Sequence, residues 1–169
     1  MNDNNADPIA DSQPSDVIYP RIGLASDHAG YELKEFIRIL LDKKEIPYID
    51  YGTYTPESTS YAIFGHKLSE AIEQGEVSAG IAVCGSGNGI NMTLNKHKKI
   101  RSALCWNEEI TRLARAHNDA NVLALPGRFL SMDLAKKMVD TFLNTPFEGG
   151  RHQERVDSIP KSTKQSAEQ

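Results

Sequence analysis

Short apolar segments alternate with longer amphipathic segments along most of the chain. The short segments have the length and composition of strands that are buried on both faces. Five such strands are predicted, at residues 22–26, 47–51, 81–84, 101–106 and 121–126. Between them, apolar residues recur every three or four positions, which is typical of helices that bury one face. This alternation predicts an α/β fold: a three-layer, Rossmann-like sheet of five parallel strands with helices on both faces.

Capping residues mark several boundaries of the predicted helices. Asn107 can cap one helix, and Ser131 can cap the last long helix. Another helix is predicted over residues 61–74, ended by Gly75. Residues 90–94 predict a first helical turn directly after a glycine-rich loop.

The two ends of the chain are more polar than its middle. Residues 1–20 hold three prolines and no basic residue, which predicts a disordered N-terminal arm. Residues 161–169 predict a loose C-terminal tail. A single folded domain is therefore expected over residues 21–160. Its last segment, after Pro146, is expected to be an arm without a core of its own to join.

Composition narrows the range of possible binding partners and cellular compartments. The chain of 169 residues has a net charge of −4 and a pI of about 5.7, so electrostatics do not favour nucleic acid as a partner. No apolar run approaches the length of a membrane span. The two cysteines, Cys84 and Cys105, show neither metal-ligand spacing nor a disulfide framework. This pattern is typical of a reducing compartment and predicts a cytoplasmic protein.

The segment 81–90 joins a strand, a glycine-rich loop and the start of a helix. Gly85, Gly87 and Gly89 remove the side chains that would keep a ligand away from the backbone. Because the first amides of a helix lack intrahelical partners, the segment can cradle an anion or an oxyanion. Cys84 lies at the rim of this cradle, where the helix dipole favours a thiolate.

Simpler interpretations of this segment stay open at this point. The spacing of the glycines fits neither the dinucleotide motif G-x-G-x-x-G nor the P-loop. A glycine-rich turn after a strand can reflect close packing alone. A single cysteine such as Cys84 is more often an inert core residue than a nucleophile or a base.

Polar and titratable residues follow several of the predicted strands. Asp27 and His28 follow the first strand, Cys84 ends the third, and Arg128 follows the fifth. In open parallel sheets, ligands bind beyond the carboxyl ends of the strands, where the strand order reverses. The sequence therefore predicts an active site at this edge of the sheet.

Each candidate outside the glycine loop also has a structural interpretation. Asp27 can be a helix cap, and Tyr61 a half-buried core residue. The segment 117–119 can be a helix end followed by a turn. Arg151 and Arg155 are four residues apart and can form a solvated helical face, although two guanidinium groups also suit a phosphate.

Four motifs resemble, in order and in register, those of type B ribose-5-phosphate isomerase, a family that includes the galactose-6-phosphate isomerase subunits. They are Ser26-Asp27-His28-Ala29-Gly30, Cys84-Gly85-Ser86-Gly87-Asn88-Gly89-Ile90, His117-Asn118-Asp119-Ala120-Asn121-Val122, and Gly149-Gly150-Arg151-His152 with Arg155. The resemblance covers about residues 21–160.

The resemblance implies an aldose–ketose isomerase that uses neither a metal nor a cofactor. Its reaction interconverts ribose 5-phosphate and ribulose 5-phosphate through an enediolate, as in the pentose phosphate pathway. Cys84 is then the base, and His117 opens the furanose ring. The amides of the loop and the Ser86 hydroxyl hold the enediolate oxygen.

The resemblance also implies the other members of the site. The implied catalytic residues are Cys84, His117, Ser86 and Asp27. The implied substrate-binding residues are Asp27, His28, Tyr61, Gly85, Ser86, Gly87, Asn88, Gly89, Asn118, Arg128, Arg151 and Arg155. The implied assembly is a homodimer or a dimer of dimers in which His117 and Arg151 complete the pocket of a neighbouring subunit.

Three positions depart from the family pattern. Ser86 replaces a common threonine and keeps its hydroxyl, and Ile90 stands where one branch uses a glutamate. The usual Asp-Tyr-Pro reads Ser60-Tyr61-Ala62, which bears on substrate size. Two alternatives therefore remain. One is an isomerase of a six-carbon sugar phosphate, such as allose or galactose 6-phosphate. The other is a sugar-phosphate-binding module without activity.

Overall fold

The computed structural model describes residues 19–161, so most of the predicted arm and tail lies outside it. The arm's last two residues are described, and one of them belongs to the core. Tyr19 is buried and stacks on Phe142, with 5.8 Å between the ring centroids. The folded part of the chain therefore includes Tyr19.

The sheet has five parallel strands in the order β2-β1-β3-β5-β4. The strands are β1 (Ile22–Ser26), β2 (Tyr48–Asp50), β3 (Ala79–Cys84), β4 (Ser102–Leu104) and β5 (Val122–Pro126). The three central strands are fully buried, whereas the two edge strands are half-buried. The chain passes from β1 outward to β2 and then crosses back to β3, so the strand order reverses between β1 and β3.

Within the described residues, six α-helices connect and cover the strands. They are α1 (Tyr31–Lys43), α2 (Tyr61–Glu73), α3 (Asn88–Leu94), α4 (Glu108–Asn118), α5 (Met132–Asn144) and α6 (Arg151–Ser158). The side chains of Asn107 and Ser131 cap α4 and α5, as predicted. Within residues 19–161, no helix combines the length and the apolar composition that a membrane crossing requires.

The helices form layers on both sides of the sheet. On one face, Ile37 of α1 and Phe142 of α5 share a core with Ile81 of β3. On the other face, Leu68 of α2 and Leu94 of α3 share a second core with β3. This arrangement confirms the predicted three-layer α/β fold with a Rossmann-like parallel sheet.

The end of α4 lies within the segment 117–119. The helix continues through Asn118, and Asp119 ends it in the left-handed region, with φ 47° and ψ 44°. Two arginines hold Asp119 in place: Arg115 Nη1 donates to Oδ1 at 2.9 Å, and Arg101 Nη2 donates to Oδ2 at 2.7 Å. His117 therefore lies in the last turn of α4.

The C-terminal segment differs from the prediction of an arm without a core. It forms α6, which buries His152 and Val156 and packs against α4. Arg151 and Arg155 point away from this contact and are exposed. In the single chain, these two arginines thus form the solvated helical face that their spacing allows.

Candidate active site

The carboxyl ends of β1, β3 and β5 bring three predicted site residues to one edge of the sheet. Asp27 follows β1, Cys84 ends β3, and the register pairs Cys84 with Pro126 on β5, just before Arg128. The strand order reverses between β1 and β3, which is where open α/β sheets bind ligands.

Two backbone hydrogen bonds tie the glycine loop to the segment after β5. Gly127 N–H donates to Cys84 O at 2.9 Å, and Arg128 N–H donates to Gly85 O at 3.1 Å. The Arg128 side chain consequently lies against Gly85, where an added Cβ would be 3.4 Å from Nη1. A guanidinium beside exposed loop backbone provides a positive, forked donor that suits phosphate oxygens.

The turn from the loop into α3 depends on Gly87. Its φ of +75° is in the left-handed region, and an added Cβ would lie 3.1 Å from the backbone of Pro126. The helix begins at Asn88, two residues before the predicted start. The Asn88 backbone N–H and its side-chain amide both donate to Ser86 Oγ at 3.3 Å, so the Ser86 hydroxyl lies over the first turn of α3.

The two thiols have different surroundings. Cys84 is 3 % exposed and lies beneath the loop, in the core between the sheet and helices α2 and α3. Cys105 lies in the core on the other side of the sheet, where burial raises the pKa of its thiol to about 11. Cys105 is therefore protonated at neutral pH, and Cys84 is the thiol at the carboxyl edge of the sheet.

Asp27 and His28 hold two neighbouring segments in place: the turn before α1 and the loop before α2. Asp27 is buried, and its Oδ1 accepts a hydrogen bond from Gly30 N–H at 3.0 Å, as in a helix cap. His28 Nδ1 lies 3.2 Å from both the N and the O of Thr59, in the loop before α2. That loop leads directly to Tyr61.

Tyr61 packs on the glycine loop from the α2 side. An added Cβ at Gly89 would lie 2.5 Å from Tyr61 Cζ, so only glycine permits this approach. Tyr61 is the first residue of α2 and is 42 % exposed, which leaves its ring at the surface beside the loop. The structure therefore brings together Asp27, His28, Tyr61, Cys84, the residues of the glycine loop and Arg128.

A buried ion pair that sequence reasoning missed supports the end of β1. Lys34 of α1 is completely buried and pairs with Asp50 at the end of β2. Asp50 Oδ1 also accepts a hydrogen bond from Gly52 N–H at 2.9 Å, and Gly52 O accepts one from Ser26 N–H at 2.7 Å. This network fixes the segment beside Asp27. A lysine inside an apolar helical face was its signal in the sequence.

The remaining predicted site residues lie at the opposite edge of the sheet. Arg101, just before the amino end of β4, donates from Nε to Asp119 O at 2.9 Å, so the last turn of α4 is at the amino edge. The five residues of β5 separate the two edges by about 13 Å. His117, Asn118, Arg151 and Arg155 are therefore not brought to Cys84 within one chain.

His117 has its own neighbours at this amino edge. Its ring stacks on His152, with 4.1 Å between centroids and 10° between ring planes. Glu148 Oε2 lies 3.6 Å from His117 Nε2 and 3.7 Å from His152 Nε2. Burial lowers the pKa of His152, and the charges of His117 and Arg151 lower it further, against the opposing effect of Glu148. Sequence reasoning gave Glu148 no role; its signal was the four-residue spacing to His152.

The sequence and the fold are similar to those of known sugar-phosphate isomerases. Residues 22–159 match the family described as Ribose/Galactose Isomerase. Ribose-5-phosphate isomerase B of Escherichia coli (strain K12) is 40% identical over 139 residues, which cover 82% of this chain and 93% of the relative.

Two solved structures show the same similarity. A ribose 5-phosphate isomerase from Thermotoga maritima has a TM-score of 0.81 and 46% identity, covering 82% of this chain and 96% of that one. Ribose-5-phosphate isomerase B from Mycoplasma genitalium with bound ribulose-5-phosphate has a TM-score of 0.79 and 36% identity, covering 88% and 97%. With the family match extending over nearly all of the described residues, the chain belongs to the ribose/galactose isomerase family.

Proposed function

We propose that this protein interconverts ribose 5-phosphate and ribulose 5-phosphate as an enzyme of the pentose phosphate pathway. The observation that carries this function is the position of Cys84, at the end of β3 beneath a glycine loop and beside Arg128. The activity named for the Escherichia coli relative and the ribulose-5-phosphate in the Mycoplasma genitalium structure support the same substrate.

The chemistry assigned to the carboxyl edge is a proton transfer between adjacent sugar carbons. The Cys84 thiolate removes the proton from C2 of the open aldose, which yields an enediolate. After the hydroxyl proton of O2 has passed to O1, Cys84 returns its proton to C1, and the ketose forms. Loop amides and the Ser86 hydroxyl stabilise the oxygen on which negative charge develops. Asp27 and Tyr61 contact sugar hydroxyls, while His28 and Arg128 bind toward the phosphate. No metal or cofactor takes part in these steps.

Ring opening is assigned to His117 of a second copy of the chain. In a two-fold dimer, the amino edge of one subunit completes the carboxyl edge of the other, and each site receives both halves. The separation of His117, Asn118, Arg151 and Arg155 from Cys84 within one chain supports this arrangement. The assembly is a homodimer or a dimer of dimers. A net charge of −4 and two free thiols support a cytoplasmic enzyme without a nucleic-acid partner.

A turnover assay with three sugar phosphates tests the reaction and the preferred substrate. The highest kcat/KM is expected for ribose 5-phosphate, ahead of allose 6-phosphate and galactose 6-phosphate. A higher kcat/KM for a six-carbon substrate would instead indicate that the Ser60-Tyr61-Ala62 segment borders a larger pocket. Binding of all three sugars without turnover would identify a sugar-phosphate-binding module.

Substitution of His117 by alanine is expected to affect cyclic and open-chain substrates differently. Turnover of ribose 5-phosphate should fall by about 10²–10⁴-fold, the usual contribution of a positioned acid or base. Erythrose 4-phosphate cannot close a furanose ring because its O4 is esterified, so its turnover should be largely spared. Steady-state rates with both substrates measure the difference, and His66→Ala, at an exposed histidine on α2, is the control. Equal losses on both substrates would place His117 in proton transfer or in structure.

A further inference from the structure

Three side chains with metal-binding atoms meet at the end of α4. They are His117 on the last turn of α4, Glu148 in the loop between α5 and α6, and His152 on α6. One ligand atom of each side chain lies within 4.8 Å of the ligand atoms of the other two. In the part of the chain that the structure describes, this is the one group of three such side chains at that separation.

The distances in this group are close to those of a zinc site. Ligand atoms about 2.0–2.1 Å from a tetrahedral ion are roughly 3.4 Å apart. Glu148 Oε2 is 3.6 Å and 3.7 Å from the two imidazole nitrogens, so these two separations need to shorten by only a few tenths of an ångström. The stacked rings must also turn until both lone pairs converge. Rotation about the last bond of a histidine is soft, and the side chain of His117 is 35% exposed, which leaves room for it.

The backbone holds the three side chains together. Glu148 N–H donates to Ala116 O at 3.0 Å, which attaches the loop to the C-terminal end of α4. His152 N–H donates to Gly149 O at 3.0 Å, and this turn starts α6 next to Glu148. His152 is 6 % exposed, whereas Glu148 is exposed and can admit an ion from solvent. The group is therefore partly preorganised and open on one side.

Two imidazoles and one carboxylate form a donor set that prefers some metal ions over others. Zn²⁺ takes such His₂Glu sets with its fourth position open to water, and other borderline first-row cations bind them as well. Mg²⁺ and Ca²⁺ prefer oxygen ligands in larger number. We propose that His117, Glu148 and His152 bind a divalent cation of the zinc class. Under the proposed function, occupation of this site inhibits isomerisation, because it removes the ring nitrogen that opens the sugar.

Calorimetric titration of Zn²⁺ into the untagged, metal-free full chain tests the binding site. One zinc per chain is expected, with little response to Mg²⁺. Glu148→Gln keeps the size of the side chain and removes its charge, and it should weaken binding by about tenfold or more. His152→Ala should do the same, and near-ultraviolet circular dichroism checks its fold. Unchanged affinity in both variants would overturn the site.

Two control variants exclude other zinc ligands. His66 belongs to a second histidine pair, but its Nδ1 lies 2.8 Å from His97 Nε2, so these two nitrogens hydrogen-bond each other and do not converge on an ion. His66→Ala should therefore bind zinc as the unmodified protein does. Cys84→Ser should also bind normally. Loss of binding in the Cys84 variant would overturn the proposal, since the ion would then be held by the thiol.

Turnover in the presence of zinc tests the inhibition separately. The unmodified enzyme should lose activity with zinc and regain it with a chelator, and Glu148→Gln should resist the same concentration. Each variant is compared with its own zinc-free rate. Zinc that binds with the expected ligand dependence but leaves turnover unchanged would overturn the inhibition and the ring-opening role of His117 together. Zinc binding that is unchanged by the Glu148 substitution would overturn the cation site and leave the proposed isomerase activity untouched.

Discussion

Replacement of Cys84 by serine is expected to lower kcat by about 10²–10⁴-fold, the usual contribution of a positioned general base. Serine nearly matches cysteine in size, and it fits a position that is 3 % exposed beneath the loop. Its hydroxyl is far less acidic than a thiol and supplies no comparable base. KM should change little, because the loop amides and Arg128, which are the proposed binding groups, are left intact. Steady-state kinetics with ribose 5-phosphate measure both constants.

Cys105→Ser provides the matched control for this substitution. Cys105 is also buried, but it lies in the core on the opposite face of the sheet, and its thiol donates to Ala103 O at 3.6 Å. The same chemical change there should leave kcat near that of the unmodified enzyme. Substrate should also slow the alkylation of Cys84 in the unmodified enzyme. Near-normal turnover of the Cys84 variant would end its assignment as the base.

Mixing two variants that are each expected to be only weakly active should restore activity to about a quarter of that of the unmodified enzyme, by the two-fold symmetry of the proposed dimer. Cys84→Ala removes the proposed base from the carboxyl edge, and Arg151→Ala removes a guanidinium from the amino edge. After co-refolding of equal amounts, half of the dimers are mixed. One site of each mixed dimer carries both substitutions, and the other site carries neither. Half of the sites in half of the dimers are thus intact.

A second mixture controls for general effects of co-refolding. Arg128 lies on the same half of the site as Cys84, beside Gly85. Mixed dimers of Cys84→Ala and Arg128→Ala therefore carry one substitution in each site, and their activity should not recover. If the Cys84 and Arg151 variants also failed to complement each other, the whole site would lie within one chain.

The central strands were predictable because tertiary burial and local composition agree there. The apolar run at Ile22–Ser26 has the bounds of β1. The predicted edge strands were too long: residues 47–51 and 101–106 form Tyr48–Asp50 and Ser102–Leu104. An edge strand pairs on one side only, so the residues at its ends can leave the ladder. Of these, Cys105 stays buried, whereas Trp106 is exposed.

The C-terminal helix was harder to predict for a different reason. α6 buries only His152 and Val156, so its apolar face is too narrow to produce a helical pattern. The carboxyl-edge residues could be grouped from the rule that parallel strands end together. No such rule predicts that Glu148 lies beside His117, because their proximity depends on the hydrogen bond from Glu148 N–H to Ala116 O. The division of the candidate site between two edges of the sheet follows from the sheet topology.

The position of β5 between β3 and β4 has a consequence for synthesis on the ribosome. β1, β2 and β3 emerge first and can pair with one another, but β4 has no neighbour until β5 follows it. During that interval the outer edge of β3, with its apolar residues Ile81 and Val83, is open to other chains. Nascent chains that stall before Val122 therefore expose an unpaired, hydrophobic strand edge, which makes them substrates for chaperones and prone to aggregate.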